Sequence, residues 1–138
     1  MSYATESKTP RPGRGPAPLS AEDFAARAGI SAGGLERFRI YLAELQRWQR
    51  KINLVGAATL ADPWRRHFLD SAQLHALVPT TATSVTDIGS GAGFPGLVLA
   101  LMAQDRADGA ASDLHVTLIE SDQRKAIFLR EIIRLTEV

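Results

Sequence analysis

The sequence predicts an α/β fold, with helices first and a single β-α-β unit after them. The sequence contains two short β-prone runs, residues 85–88 and 114–119. Each has an acid at its end: Asp87 in the first run and Glu120 directly after the second. A glycine-rich turn joins the first run to an apolar helix, whereas residues 20–79 repeat apolar side chains at helical steps. Strand, turn, helix and strand in this order indicate two parallel strands with a right-handed crossover.

Length and composition limit the classes of protein that this chain can represent. Its 138 residues suit one domain, and a net charge of +1 gives no overall signature of nucleic-acid binding. The absence of cysteine excludes a disulfide scaffold, a cysteine-zinc site and a cysteine nucleophile. The three histidines are not spaced as a metal-binding pair, and no run is apolar enough for a membrane span. We therefore expect a soluble, cytoplasmic protein without a metal site.

The N-terminal tail, residues 1–19, holds four of the seven prolines and is mildly basic. Such a composition cannot bury enough apolar surface to offset its ordering entropy, which predicts a disordered tail. Contact between this tail and RNA is one interpretation, and a plain solvated tail is the one we favour.

Residues 20–79 are predicted to form a helical extension with three helices, over residues 20–28, 31–52 and 63–77. Ser20 suits the N-cap of the first helix and Gly29 its end. The second helix carries one apolar stripe, formed by Leu35, Phe38, Leu42, Leu45, Trp48 and Ile52. Its opposite face is basic and could contact a phosphate backbone, although a solvated face is the commoner explanation.

The third helix contains a polar group near the start of the α/β unit. Arg66 and Asp70 stand four residues apart, so they can pair on one face of an α-helix. His67 between them is interpreted as a packed or hydrogen-bonded polar residue and not as a metal ligand.

The glycine turn admits two readings. Residues 91–96 match the G-x-G-x-x-G pattern of dinucleotide-binding folds, and residues 89–93 form a G-x-G-x-G run preceded by an acid. Asp87 favours the second reading, because its carboxylate would repel a pyrophosphate and attract an ammonium or sulfonium group. S-adenosylmethionine carries both cations and no phosphate. An ordinary glycine-rich connection and a nicotinamide-dependent oxidoreductase remain alternatives.

Glu120 favours a ligand-binding loop over an ordinary glycine-rich connection. In a right-handed β-α-β unit the end of the second strand lies beside the glycine loop, where an acid can accept hydrogen bonds from both ribose hydroxyls. Its distance from the glycines exceeds the usual spacing, which we attribute to a lengthened polar loop over residues 105–113. Ser121 is the predicted cap of the helix that follows, over residues 122–137.

Three segments together resemble one family: residues 66–71, residues 87–96 and residues 118–121. The family is the bacterial methyltransferase of guanine N7 in small-subunit ribosomal RNA, also called glucose-inhibited division protein B. The run Gly93-Phe94-Pro95-Gly96 is more specific than the glycines alone. The resemblance extends from about Leu35 to the last residue.

The resemblance implies a Rossmann-like, S-adenosylmethionine-dependent methyltransferase fold, with the helical extension over 20–79 and the first half of the catalytic domain over 80–138. It implies S-adenosylmethionine as cofactor, and ribosomal RNA or a ribosomal particle as partner. The implied cofactor-binding residues are Gly89, Phe94, Asp87, Gly91, Gly93 and Glu120. No catalytic residue is assigned, because guanine N7 has a free lone pair and needs only close positioning. His67 and Asp70 would pack at the rim of the cofactor site, as structural support.

The resemblance also implies that only the first β-α-β unit is present, because the family continues beyond this point. The alternative function is therefore a truncated, inactive fragment that binds RNA or a partner through basic helix faces. Without a neighbour on its other side, the first strand would be an exposed edge. We expect marginal stability and association through that edge.

Overall fold

A computed structural model describes residues 15–107 and 114–138; most of the predicted tail therefore lies outside the described residues. Helix α1, Ala21–Ala28, begins at Ser20, whose side chain accepts the Asp23 N–H, and ends at left-handed Gly29. Helix α2, Ala32–Gln49, begins at Ser31. The short 3₁₀ segment Ala57–Ala61 follows it.

The third helical segment, residues 64–77, changes its hydrogen bonding twice. It begins as a π-helix over Trp64–Leu69, passes through the single α-turn α3, Asp70–Ala72, and ends as the 3₁₀ turn Gln73–Leu77. The sequence predicts the extent of this segment, but its π-helical start was not predicted. π-helical turns bond residues five apart and recur at functional sites.

The β-α-β unit follows as predicted. Strand β1, Ser84–Ile88, pairs in parallel with strand β2, His115–Ile119, and Ser84 lies opposite His115. Helix α4, Gly96–Ala107, connects the strands, and helix α5, Gln123–Thr136, follows β2. The α/β fold class is thus confirmed, with a short two-stranded parallel sheet.

The core lies between the helices and one face of the sheet. Helix α2 packs on both α4 and α5, and α4 packs on both strands. An aromatic cluster joins the helical extension to the α/β unit through edge and stacked contacts; its members are Phe24, Phe38, Tyr41, Trp64, Phe68, Phe94 and Phe128. The helical extension is therefore part of the same core and not a separate unit.

The other face of the sheet is open to solvent in the described structure. Ile88 is 80% exposed, and Ile119, its partner in the strand register, is 49% exposed. Parallel strands are normally buried on both faces. Association of the chain through the open β1 edge stays a prediction.

Four local predictions need correction. Helix α4 continues through Asp105, so the polar loop cannot begin there; residues 108–113 lie outside the described part. Asp122, and not Ser121, caps α5, because its carboxylate accepts both the Arg124 and Lys125 N–H groups. Helix α2 ends at Gln49, and not at Ile52.

The fourth correction concerns Arg66 and Asp70, which form no ion pair within the described residues. The physical reason is the π-helical turn: the Asp70 N–H reaches the carbonyl of Arg65, five residues back. Side chains four residues apart therefore do not stand directly above one another, as they do on an α-helix.

Candidate functional site

The glycine loop, residues 89–96, is fixed to the end of strand β2 by its own backbone. The Gly89 and Ser90 N–H groups both donate to the Ile119 carbonyl, at 2.8 and 3.0 Å. The Gly93 N–H donates to the Ser90 carbonyl at 2.7 Å, closing a tight turn. The loop is thereby held at the carboxyl edge of the sheet, where open α/β sheets bind ligands.

The loop glycines fall into two groups. Gly89 and Gly91 have positive φ, at +77° and +55°, and a side chain on Gly89 would meet no atom within 4 Å. A β-carbon on Gly93, at φ +94°, would instead overlap the Tyr41 hydroxyl, and one on Gly96 would lie 2.6 Å from both Asp87 and Leu118. The first pair borders open space, whereas the second permits close packing.

Asp87 joins strand β1 to the start of helix α4. Its Oδ2 accepts the Gly96 N–H at 3.0 Å, so a carboxylate occupies the positive end of that helix. Its side chain lies on the helix-covered face of the sheet and is half-buried. In this geometry Asp87 shapes the loop directly and adds a negative charge beside it.

Glu120 lies beside the loop. Its Oε2 accepts the Gly91 N–H at 2.7 Å and its Oε1 accepts the Asp122 N–H at 2.8 Å. These hydrogen bonds, from Asp122 first and Gly91 second, hold the pKa of the Glu120 carboxyl below its usual value. The carboxylate is therefore ionised at neutral pH, and each oxygen keeps a lone pair for a further donor.

Together the two acids decide which ligand charge the loop accepts. A phosphate in a dinucleotide fold is bound by the free N–H groups of the loop and by the helix dipole. Here the Gly91 and Gly96 N–H groups already donate to Glu120 and Asp87. The loop is thus unsuited to a pyrophosphate and suited to a ligand that carries a cation and hydroxyl donors.

Phe94 lies between the loop and the helical extension. Its ring stacks on Tyr41, with centroids 5.3 Å apart, and on His67, with centroids 4.9 Å apart. It also meets the edge of Phe68. Phe94 remains half-buried, so part of its surface is open to a ligand.

Tyr41 is a site residue that the sequence reasoning missed. It is fully buried, and its hydroxyl donates to the Ala92 carbonyl of the loop. Burial, and then the nearby charge of Asp87, raise the pKa of this hydroxyl well above its usual value, which keeps the donor protonated. The spacing of Tyr41, three residues after Phe38 and four before Leu45, could have identified it. This spacing places its hydroxyl group within the apolar stripe of the helix.

His67 has a defined hydrogen-bonding role. Thr59 donates its only hydroxyl proton to the Gly56 carbonyl at 2.6 Å, so its contact of 2.6 Å with His67 Nε2 assigns the proton to that nitrogen. Burial lowers the pKa of His67, the charge of Arg66 lowers it further, and Asp70 opposes the shift. A neutral His67 therefore supports Phe94 from the side of the π-helical turn.

The structure brings Asp87, Glu120, Phe94 and the loop glycines into one site, and their role toward a cofactor stays a prediction. Among residues 15–107 and 114–138, no three histidine or acidic side chains are grouped as metal ligands. Within the same two ranges, every helix is too short or too polar to span a bilayer.

Comparison with known proteins gives consistent matches. The family model described as GidB, rRNA small subunit methyltransferase G, matches residues 34–138. Proteins named ribosomal RNA small subunit methyltransferase G are similar to most of this chain. The one from Rhodospirillum rubrum is 52% identical over 118 residues, which are 86% of this chain and 54% of the relative. The one from Parvibaculum lavamentivorans is 46% identical over 88% of this chain and 52% of the relative. The chain therefore spans about half the length of the curated relatives it matches.

Proposed function

The chain belongs to the GidB family of rRNA small subunit methyltransferase G proteins, and on that premise we propose that it binds S-adenosylmethionine at the glycine loop. We further propose that it serves the methylation of guanine N7 in small-subunit ribosomal RNA, in the cytoplasm, with that RNA or a ribosomal particle as substrate. One observation carries the proposal: Asp87 and Glu120 converge on a loop whose Gly89 borders open space.

The donor set fits this cofactor. The two carboxylates supply negative charge beside the loop, which favours a sulfonium and an ammonium group. Glu120 retains two lone pairs, the number that the two hydroxyls of a ribose require. Phe94 offers a partly exposed aromatic surface to the apolar portion of the ligand.

The chemistry asks little of the protein beyond positioning. S-adenosylmethionine supplies, when bound, a methyl group on a positively charged sulfur. Guanine N7 carries a lone pair, so the residues of the chain need not remove a proton from it. Their task is to orient the ligand, and effective molarity alone can supply about 7–11 kcal/mol of the barrier reduction.

Two other functions are less well supported. Nicotinamide-dependent oxidoreduction requires a pyrophosphate site, and the loop N–H groups that would form one donate to carboxylates. A chain without cofactor affinity, which binds only RNA or a partner, is the alternative that a binding measurement separates from the proposal.

Calorimetric titration of the 138-residue chain with S-adenosylhomocysteine tests the proposal, with Gly89→Ala as the variant. A methyl group there would occupy the open space above the loop. We expect saturable binding by the unaltered chain and an affinity at least about tenfold lower in the variant, equivalent to about 1.4 kcal/mol.

Gly29→Ala is the matched control. Gly29 has φ +68° and open space around its β-carbon, but it caps helix α1 away from the loop. Both variants should therefore carry a similar backbone strain of roughly 1–2 kcal/mol, and only Gly89→Ala should lose affinity. Equal affinities in the two variants would contradict binding at the glycine loop. No binding by a folded unaltered chain would contradict cofactor binding by this polypeptide.

A further inference from the structure

A cavity lies at the end of helix α4 opposite the glycine loop. It has a volume of about 280 Å³, and its lining includes Arg27, Leu69, His75, Met102 and Arg106. The two α4 residues that line it, Met102 and Arg106, are six and ten residues beyond Gly96, so they lie about 9 and 15 Å from the start of the helix along its axis. It is thus a different site from the one proposed for the cofactor.

The rim of this cavity is cationic. Arg27 stands in the last turn of α1 and Arg106 in the last turn of α4, and no lining residue is acidic. Five other arginines of the described chain form ion pairs with carboxylates: Arg39, Arg47, Arg65, Arg124 and Arg134. Within the same described ranges, Arg27 and Arg106 lie within ion-pairing distance of no carboxylate. Their guanidinium charges are therefore available to an anion.

The third polar group on the rim is His75. Burial lowers the pKa of this imidazole, and the charge of Arg106 lowers it further; no acid opposes the shift. The imidazole is therefore neutral at physiological pH and offers one N–H donor without repelling the guanidinium groups. The floor between these polar groups is apolar, formed by side chains such as Leu69 and Met102.

We propose that this cavity binds a phosphodiester group of an RNA strand. The guanidinium groups of Arg27 and Arg106 pair with the phosphate oxygens, a geometry that guanidinium forks suit. The adjacent sugar or base rests on the apolar floor. The choice of RNA as the source of the phosphate rests on the proposed function, whereas the anion site itself rests on the charges and the cavity.

The site is an anchor and not a sequence reader. Phosphate contacts fix the register of a nucleic acid without discriminating its bases. Because the cavity is remote from the glycine loop, it would hold a part of the RNA distant from the reacting base. Loss of the anchor should weaken RNA binding and leave cofactor binding unchanged.

The test uses the full chain and a fluorescein-labelled single-stranded oligoribonucleotide of about 12 nucleotides, titrated by fluorescence anisotropy at several salt concentrations. The variant is the double substitution Arg27→Gln, Arg106→Gln. We expect its affinity to be at least about tenfold lower, and the slope of log affinity against log salt to be shallower by about 0.7, the value for one phosphate of a single strand.

Arg50→Gln, Arg130→Gln is the matched control. It removes the same charge from two exposed arginines, one at the C-cap of α2 and one on α5. We expect this control to retain most of the affinity. An equal loss in both double variants, a loss confined to the control, or no RNA binding by the unaltered chain would overturn the proposal.

Two further measurements distinguish failure of the RNA-anchor proposal from failure of the proposed function. Displacement of the oligonucleotide by inorganic phosphate at equal phosphate concentration would identify a free-anion site and overturn the RNA proposal. Calorimetry with S-adenosylhomocysteine should give the same affinity for Arg27→Gln, Arg106→Gln as for the unaltered chain. A chain that binds RNA through these arginines but not S-adenosylhomocysteine would contradict the proposed function and support the anchor.

Discussion

The two halves of the glycine loop need glycine for different reasons. At Gly89 and Gly91 the requirement is backbone conformation, and the space around Gly89 is open. At Gly93 the requirement is both conformation and room, and at Gly96 it is room alone, because side chains of the core stand where a β-carbon would be. The first two glycines of the loop therefore leave a surface open to a ligand. The last two allow strand β1, helix α4 and the helical extension to pack closely together.

This difference explains why the literal G-x-G-x-x-G of residues 91–96 is a poor guide to the ligand. Its last two glycines serve the packing of Tyr41 and Asp87 against the loop. Gly89, which borders open space, and Glu120 both lie outside that pattern. These two residues define the side of the loop that faces the candidate ligand. Substitutions in the two halves should accordingly affect different properties.

The largest effect is expected for Gly93→Ala. The new methyl group would combine a left-handed backbone with overlap of the Tyr41 hydroxyl, and Leu97 and Leu129 lie 3.0 and 3.1 Å away. Strain and overpacking together should lower the free energy of unfolding by about 3 kcal/mol. Urea denaturation measures this loss. A stability equal to that of Gly89→Ala, which carries strain without overlap, would show that the packing distinction is wrong.

A smaller loss, of about 2 kcal/mol, is expected for Gly96→Ala. Alanine ordinarily favours a helix over glycine by about 1 kcal/mol, but here the methyl group would meet Asp87 Oδ2 and Leu118 at 2.6 Å. Gly33→Ala is the control, since its nearest contact would be 3.9 Å away in helix α2. Thermal melting should rank Gly33→Ala at or above the unaltered chain and Gly96→Ala below it; the reverse order would refute the close-approach argument.

The smallest effect concerns Glu120 and depends on pH. Its folded-state pKa is lowered by the N–H groups of Asp122 and Gly91, so its ionised form stabilises the fold above the pKa of the unfolded chain. That contribution is lost as pH falls from the usual glutamate pKa through the lower folded value. The stability gap between the unaltered chain and Glu120→Gln should therefore be constant near neutrality and shrink as the pH falls below the usual glutamate pKa.

Urea denaturation at a series of pH values measures this gap, and the other carboxylates cancel because both proteins contain them. A gap that persists unchanged into acid would mean that Glu120 acts by packing and not by its charge.

Much of this architecture could be predicted because its signals are local. The cap at Ser20, the stop at Gly29, the order of β1, α4 and β2, and the nearness of Glu120 to the glycines follow from neighbouring residues and strand direction. The family predicted from residues 66–121 is confirmed by the match over residues 34–138. Each of these inferences needed only a short stretch of sequence.

The missed features depend on residues far apart in the chain. Asp105 was assigned to a polar loop, yet it is buried and accepts the backbone N–H of Ser31 at 2.9 Å, across 74 positions. Its side chain also accepts the Ser31 hydroxyl, so it holds the N-cap residue of α2 from the end of α4. An aspartate in a polar run gives no sign of such a distant partner.

The sequence by itself determined the fold class, the family and the acids at the strand ends, because backbone preference and side-chain periodicity are properties of adjacent residues. Only the tertiary structure decided that Tyr41 donates to the loop, that Gly93 and Gly96 serve packing, and that Arg27 and Arg106 share a cavity. These features arise when α1, α2 and α4 meet in one core. Their energies depend on distances that no local pattern encodes.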